Sequence, residues 1–139
     1  MTTSTNSANI ARTPLKIGIL GAARIAPSAI VAPAHATGHR LVAVASRDIK
    51  KAEEFAKQHQ VEGVYGNYQD LLDDPEINVI YNALHNGAHG PWNIRALQAG
   101  KHVLSEKPSA SNAAEANEVA QVVAKTGKVF MEGFHYYYH

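Results

Sequence analysis

The chain has 139 residues, 13 basic and 12 acidic side chains, a formal charge of +1 and no cysteine. That length holds one domain with a hydrophobic core and leaves no room for a second of ordinary size, while the interspersed charge gives no footprint for nucleic acid or an anionic membrane. Disulfides, thiolate nucleophiles and cysteine metal sites are excluded, and the longest apolar runs, such as Leu41 to Ala45, are too short to span a bilayer, so a soluble, cytoplasmic chain is expected.

Residues 1–13 are rich in Ser, Thr, Asn and Ala, carry one Arg and no acid, and lack the apolar segment of a secretory signal. They read as a disordered arm. From Leu15 onward short β-rich runs alternate with helical patterns, which predicts a parallel sheet with helices on both faces. A strand over 15–20 leads to a helix over 24–36, entered near Pro27, kinked or shortened by Pro33 and ended before Gly38. The nearly continuous apolar run 40–45 is a second strand, and Asp48 N-caps a helix over 49–59. A short strand at Val64 and Tyr65 precedes a helical turn over 68–72, stopped by Asp73-Asp74-Pro75. A fourth strand over 79–83, a helix over 91–99 with Gly100 as its C-cap, and a fifth strand over 102–104 follow. Asn112 caps a helix over 113–126, and a sixth strand over 129–132 lies at or near the sheet edge. The sum is two βαβ halves, an α/β doubly wound parallel sheet of the dinucleotide-binding type.

In such a fold the first strand breaks at a glycine into a helix whose N-terminal N–H groups face a pyrophosphate. Gly21, Ala23 and Ala26 occupy the three positions of the usual G-x-G-x-x-G loop, so only the first glycine is kept. A methyl at Ala23 would crowd a pyrophosphate unless the loop stands farther away, and a plain strand-to-helix turn with Gly18 and Gly21 chosen for packing is the bland alternative. The end of the second strand reads the adenosine ribose, where an acid would accept from a 2′-hydroxyl and repel a 2′-phosphate. Ser46-Arg47 stands there instead. A hydroxyl and a guanidinium suit a phosphate, which favours NADP over NAD, although Asp48 is placed to pair with Arg47 or compete for the ribose.

After the fourth strand, Leu84-His85-Asn86-Gly87-Ala88-His89 sits at the carboxyl edge of the sheet. Gly87 argues for a loop between the two histidines and no carboxylate lies near them, so a metal site is not expected; a cofactor-lining or substrate-facing role is. Glu106-Lys107-Pro108 follows the fifth strand at the same edge, with an X-Pro bond open to the cis isomer. A lysine there could stabilise an alkoxide or pass a proton from a substrate hydroxyl, and burial would lower its pKa toward that use. A solvent-exposed Glu-Lys pair before a helix is the alternative reading.

These blocks, with Tyr81-Asn82-Ala83, Ala99-Gly100-Lys101-His102-Val103-Leu104-Ser105 and Met131-Glu132-Gly133-Phe134-His135-Tyr136, resemble in order and spacing the amino-terminal half of the Gfo/Idh/MocA oxidoreductase family. The Gly-Ala-Ala-Arg-Ile-Ala loop with Ser-Arg is similar to the NADP-dependent dihydrodiol and D-xylose dehydrogenases of that family, for which alanine in the loop is familiar. The resemblance implies a Rossmann domain in which Gly21, Ala22, Ala23, Arg24 and Ile25 line the pyrophosphate, Ser46 and Arg47 hold the adenosine phosphate, and Leu84, His85 and Asn86 line the middle of the cofactor. Glu106 and Lys107 would approach the nicotinamide, with Lys107 as the catalytic lysine. His85 stands where the family usually has Pro, and Ser109 where it usually has an apolar residue.

The family also carries a second, substrate-binding domain that supplies a Tyr or His partner for the lysine and usually builds a homo-oligomer. The sequence stops where the family crosses into that domain and reads as a truncated or partial one. The implied function is an NADP-dependent dehydrogenase acting on a small molecule, a sugar or cyclic diol, with no nucleic acid or membrane partner and no metal. A non-catalytic NADP-binding or regulatory module is the alternative, and an interaction role for the Tyr-rich terminus ranks last. On this reading the chain alone binds cofactor weakly, is inactive and tends to self-associate.

Overall fold

In the computed structural model, which describes residues 13–133, six strands form one parallel sheet: β1 (Lys16–Leu20), β2 (Arg40–Ala45), β3 (Gly63–Tyr65), β4 (Val79–Asn82), β5 (His102–Ser105) and β6 (Phe130–Glu132). Their spatial order is β3-β2-β1-β4-β5-β6, so the chain winds outward from β1 in one direction and then, from β4, in the other. The reversal between β1 and β4 opens a crevice at the carboxyl ends of these strands, where ligands of doubly wound sheets bind. The doubly wound parallel sheet expected from the alternating pattern is therefore present, with β6 at one edge and β3 at the other. Residues 1–12 of the arm expected over 1–13, and the Tyr-rich end beyond Gly133, lie outside the described residues.

Helices cover both faces. On one, α1 (Ala32–Thr37) and α2 (Ile49–His59) bring Ala34, Ala52 and Phe55 against Ile17, Ile19, Leu41 and Val44. On the other, α3 (Tyr68–Leu72), α4 (Asn86–Gln98) and α5 (Ala113–Thr126) bring Leu71, Leu72, Ala96, Leu97 and Val119 against Leu20, Val42, Ile80 and Val103. Both faces are apolar because every crossover of a parallel sheet lays a helix on it. Gly18 is part of this packing, since a Cβ there would meet Leu71 Cδ2 at 2.7 Å and Ile77 Cδ1 at 2.9 Å. Asp48, Asn67 and Asn112 each accept a backbone N–H of the helix they precede, at 2.8 to 3.0 Å, and so fix where α2, α3 and α5 begin. No helix among the described residues is long and apolar enough to cross a membrane.

Two expected helices differ. The first does not run over 24–36: it opens at Pro27 with one π turn to Val31, in which Ala32 N–H bonds Pro27 O, and continues as α1. Pro33 cannot donate to the carbonyl four residues back, and the wider π turn sits just ahead of it. The helix expected over 91–99 starts five residues earlier, at Asn86, so Gly87 lies in its first turn and not in a loop, and Pro91 lies inside it. The bond Pro91 cannot make is to the carbonyl of exposed Gly87, where water can replace it. The C-cap of α4 is Ala99, with Gly100 following at φ +84°. Strand ends otherwise move by one residue.

Candidate functional site

β1 is followed by Gly21, whose φ of +95° turns the chain out of the sheet. Its missing side chain also makes room for Leu84, whose Cδ2 would stand 3.2 Å from a Cβ there. Gly21 N–H bonds Ala45 O at 2.9 Å, tying the turn to the end of β2. Beyond it, the N–H groups of Ala22, Ala23, Arg24 and Ile25 donate no backbone hydrogen bond among the described residues, before the turn closes with Ala26 N–H to Ala23 O at 3.2 Å. Four unspent donors at a strand-to-helix turn are what an anionic diphosphate needs. Ala22 and Ala23 are half-buried against the core, and Arg24 and Ile25 are exposed.

At the end of β2, Ser46 N–H bonds Tyr65 O at 3.4 Å, and Ser46 Oγ accepts from Asp48 N–H at 3.3 Å. Asp48 Oδ1 accepts from Lys50 N–H at 3.0 Å, so this carboxylate caps α2 and no ion pair joins it to Arg47. Arg47 is exposed and lines a cleft of about 640 Å³ whose other walls are Gly66 and Tyr68 after β3, and Leu84, His85 and Trp92 from the β4–α4 segment. Tyr68 and Trp92 meet edge to face with ring centroids 5.1 Å apart, and the Arg95 guanidinium lies 4.6 Å over the Trp92 ring. The cleft thus has a cationic rim and an aromatic wall, a combination that accepts a purine and a phosphate.

His85 is the N-cap residue of α4 and exposed, Asn86 is its first helical residue and also exposed, and Ala88 N–H bonds His85 O at 2.9 Å. His89, expected beside the cofactor, is 1% exposed. Its Nδ1–H donates to Pro108 O at 2.6 Å, and its buried Nε2 has no hydrogen-bond partner among the described residues. The structure therefore puts His89 beneath the Glu106-Lys107-Pro108 segment. Among the described residues no three His, Asp or Glu side chains gather to hold a metal.

The Lys107–Pro108 bond is cis, and the segment is tied at both ends. Glu106 N–H bonds Asn82 O at 3.0 Å, and Glu106 Oε1 accepts from the hydroxyl of Tyr81 at 2.6 Å. Tyr81 is 1% exposed, and its hydroxyl is held well above the ordinary tyrosine range, first by burial and then by that carboxylate. Ser109 N–H donates to Glu132 Oε2 at 2.9 Å. Lys107 itself is exposed, so the burial expected of it is not supplied by the described residues. The buried lysine is Lys101, before β5 at the opposite edge of the sheet, whose Nζ donates to Asp74 O and Ile77 O and whose pKa burial lowers.

Sequence reasoning found the three loops at the carboxyl edge but missed Tyr68 and Trp92 in the cleft wall and the polar side chains of Tyr81, Asn82 and Asn93 beneath the lysine segment. The visible signal was polar residues in elements that must otherwise be apolar.

Residues 15–134 match the model of an oxidoreductase family described by its NAD-binding Rossmann fold. The chain is 39% identical over 121 residues to a trans-1,2-dihydrobenzene-1,2-diol dehydrogenase of Xenopus tropicalis, covering 86% of this chain and 37% of the relative. It is 35% identical to an NADP(+) D-xylose 1-dehydrogenase of Haloferax volcanii, covering 90% of this chain and 38% of the relative. A 3-ketoreductase of Actinomadura kijaniata solved with NADP superposes with a TM-score of 0.85 at 32% identity, over 91% of this chain and 41% of that one. The chain thus spans well under half the length of the proteins it matches.

Proposed function

The chain belongs to the Gfo/Idh/MocA oxidoreductase family, whose NAD-binding domain it matches, and from that premise we propose that it holds NADP in preference to NAD. It would serve as the cofactor half of a dehydrogenase acting on a CH–OH group of a sugar or cyclic diol. The observation that carries the cofactor choice is Arg47: exposed on the rim of the cleft beyond β2, with the neighbouring Asp48 carboxylate already committed to capping α2. A 2′-phosphate would meet a guanidinium and the Ser46 hydroxyl there, where a dinucleotide lacking it would meet no acid.

The residues present fit such a cofactor along its length. Ala22, Ala23, Arg24 and Ile25 would offer the pyrophosphate backbone N–H groups that donate no backbone hydrogen bond among the described residues. Leu84, His85 and Asn86 would flank its middle, and Glu106 and Lys107 its nicotinamide end. When bound, the nicotinamide exchanges a hydride with the substrate carbon. The work assigned to this chain is to orient that ring and to hold a proton at the substrate oxygen through the Lys107 amine, which at the exposed surface of the segment is within reach of a ligand. The relatives named as dehydrogenases and reductases, together with the NADP in the ketoreductase structure, support this reading.

Calorimetric titration of the chain with NADPH and NADH tests the cofactor. NADPH should bind more tightly, and equal or reversed affinities sink the assignment. Where turnover is measurable, Lys107→Met should lower it on the order of a hundredfold or more and lower NADPH affinity far less. Cofactor binding with no Lys107-dependent turnover would leave a non-catalytic NADP-binding module.

A further inference from the structure

Asn82 and Asn93 are both fully buried, one on β4 and the other on α4, and their carboxamides are paired: Asn82 Nδ2 donates to Asn93 Oδ1 at 2.9 Å and to His89 O at 3.2 Å. Asn82 Oδ1 accepts from Leu84 N–H at 3.2 Å. Asn93 then spends both protons of its own Nδ2 across the lysine segment, one on Ser105 Oγ and one on Ser109 O, each at 3.0 Å. Ser105 passes the chain on, its hydroxyl donating to Glu106 O at 3.0 Å. One side chain therefore clamps the residue before Glu106 and the residue after Pro108. All four amide protons of the pair are used, which is the condition under which two carboxamides can lie in an apolar interior without a heavy desolvation penalty.

A pair of aliphatic side chains would fill the same space without that requirement, so stability alone does not explain the carboxamides. What distinguishes them is where the bonds go. They end on the backbone and hydroxyl groups flanking Glu106-Lys107-Pro108, and His89, one helical turn ahead of Asn93 on α4, holds Pro108 O from below. Lys107 is left exposed at the crest of a segment whose base is pinned on both sides. The same helix turns Ala88 and Trp92 toward the cleft that Arg47 rims. Thus α4 presents one face to the proposed adenosine cleft and the adjacent face to the lysine segment.

We propose that Asn93 is the positioning residue of this segment: its carboxamide, bridging Ser105 and Ser109 and braced by Asn82, sets where Lys107 stands relative to a nicotinamide ring. This rests on the reading of the crevice as an NADP site. The role is one of placement, because Asn93 is fully buried and touches no ligand itself.

The test compares the wild-type chain, Asn93→Val and Lys107→Ala with two ligands: NADPH, read by the fluorescence of its nicotinamide, and 2′,5′-ADP, which carries only the adenosine half. Asn93→Val should bind 2′,5′-ADP as the wild type does, lose at least about tenfold in NADPH affinity and lose the nicotinamide fluorescence change, the loss expected when one or two interior hydrogen bonds that hold a site go missing. A merely structural role would weaken both ligands alike or neither. Wild-type nicotinamide fluorescence in Asn93→Val, with the signal abolished in Lys107→Ala, overturns the proposal. Should Asn93→Val fail to fold, Ser105→Ala removes one arm of the clamp and should shift the same two readouts in the same unequal way.

Amide hydrogen exchange on the chain without ligand separates this claim from the cofactor reading. Asn93→Val should speed exchange at Glu106 and Ser109 and leave Gly21 unchanged. A wild-type chain that binds no NADPH overturns the cofactor reading, and exchange alone then decides whether Asn93 holds the segment: unaltered exchange at both amides overturns it.

Discussion

The two ends of the crevice are built on opposite plans. At the proposed adenosine end, Arg47, Asn67, Gln69 and His85 are exposed, and the cleft they line is shaped by surface side chains and two packed aromatic rings. At the lysine end, Tyr81, Asn82, His89, Asn93 and Ser105 are buried and hydrogen-bonded to one another or to the segment that carries Lys107. A dianionic phosphate can be recognised by charge, and a mobile guanidinium suffices for that. A group meant to act on a reacting atom must stand in one place before the ligand arrives, which demands a rigid support. Residues at the first end should therefore govern affinity with little effect on stability, and residues at the second should govern both stability and geometry.

The largest effect expected from this contrast is at Asn82. Replacing it by Leu leaves Asn93 Oδ1, His89 O and Leu84 N–H buried without their partner, and should cost about 2 to 4 kcal/mol of folding stability in urea denaturation. The double variant Asn82→Leu, Asn93→Leu should cost less than the sum of the two single changes, because partners removed together leave fewer orphaned groups. A loss below about 0.5 kcal/mol for Asn82→Leu, the scatter of ordinary surface changes, would mean that the lysine end is no more rigid than the other.

At the adenosine end the expected pattern inverts. Arg47→Ala should leave folding stability within about 0.5 kcal/mol of the wild type, since the side chain is exposed. NADPH affinity should fall by about 1.5 to 3 kcal/mol, the worth of hydrogen bonds to a charged group, while NADH affinity barely moves. A similar loss for both cofactors would show that Arg47 senses the adenine ring and not the 2′-phosphate, and a stability loss would dissolve the contrast between the ends.

The contrast was only half legible in the sequence. Exposed chemistry announces itself: Ser46-Arg47 after an apolar strand and Glu106-Lys107-Pro108 after another could be placed at the carboxyl edge from strand order alone. Strands and helix starts were readable because β2 is apolar from Leu41 to Ala45 and α2 and α5 are preceded by Asp48 and Asn112. What stayed hidden depends on which buried polar atoms face each other across the sheet. Asn82 and Asn93 are 11 residues apart, and their pairing exists only because α4 begins at Asn86 and lays its first turns over β4. Pro91 is where a proline normally opens a helix, so the local pattern places the start of α4 there and makes His85 to His89 a loop. Its early start goes with His89 and Gly90 being buried, Gly90 so close to α5 that a Cβ there would overlap the Glu115 side chain. Tertiary contact of this kind carries no local signal.

The smallest expected effect is also the one that probes the join between the sheet and the lysine segment. Tyr81→Phe removes a single hydroxyl, its hydrogen bond to Glu106 Oε1 and nothing of the ring's packing, so it should cost about 1 kcal/mol near neutral pH, the bond being buried on one side and half-buried on the other. The pH dependence tells the hydroxyl apart from a general loosening. Burial, and then the Glu106 carboxylate, raise the Tyr81 pKa in the folded chain above the unfolded value of about 10. Below that value both states keep the proton and the contribution is fully present; as pH rises above it the unfolded chain ionises while the folded one does not, and stability drains away. Comparing the two proteins cancels every contribution they share, so the quantity to follow is the difference between wild type and Y81F in urea unfolding from about pH 8 to about pH 11. The wild-type advantage should shrink with rising pH and then reverse, because a phenyl ring has no proton to lose. A difference that stays constant across the range would mean that the Tyr81 hydroxyl is no more protected folded than unfolded, and that the support under Glu106 is as open to water as the rim at Arg47.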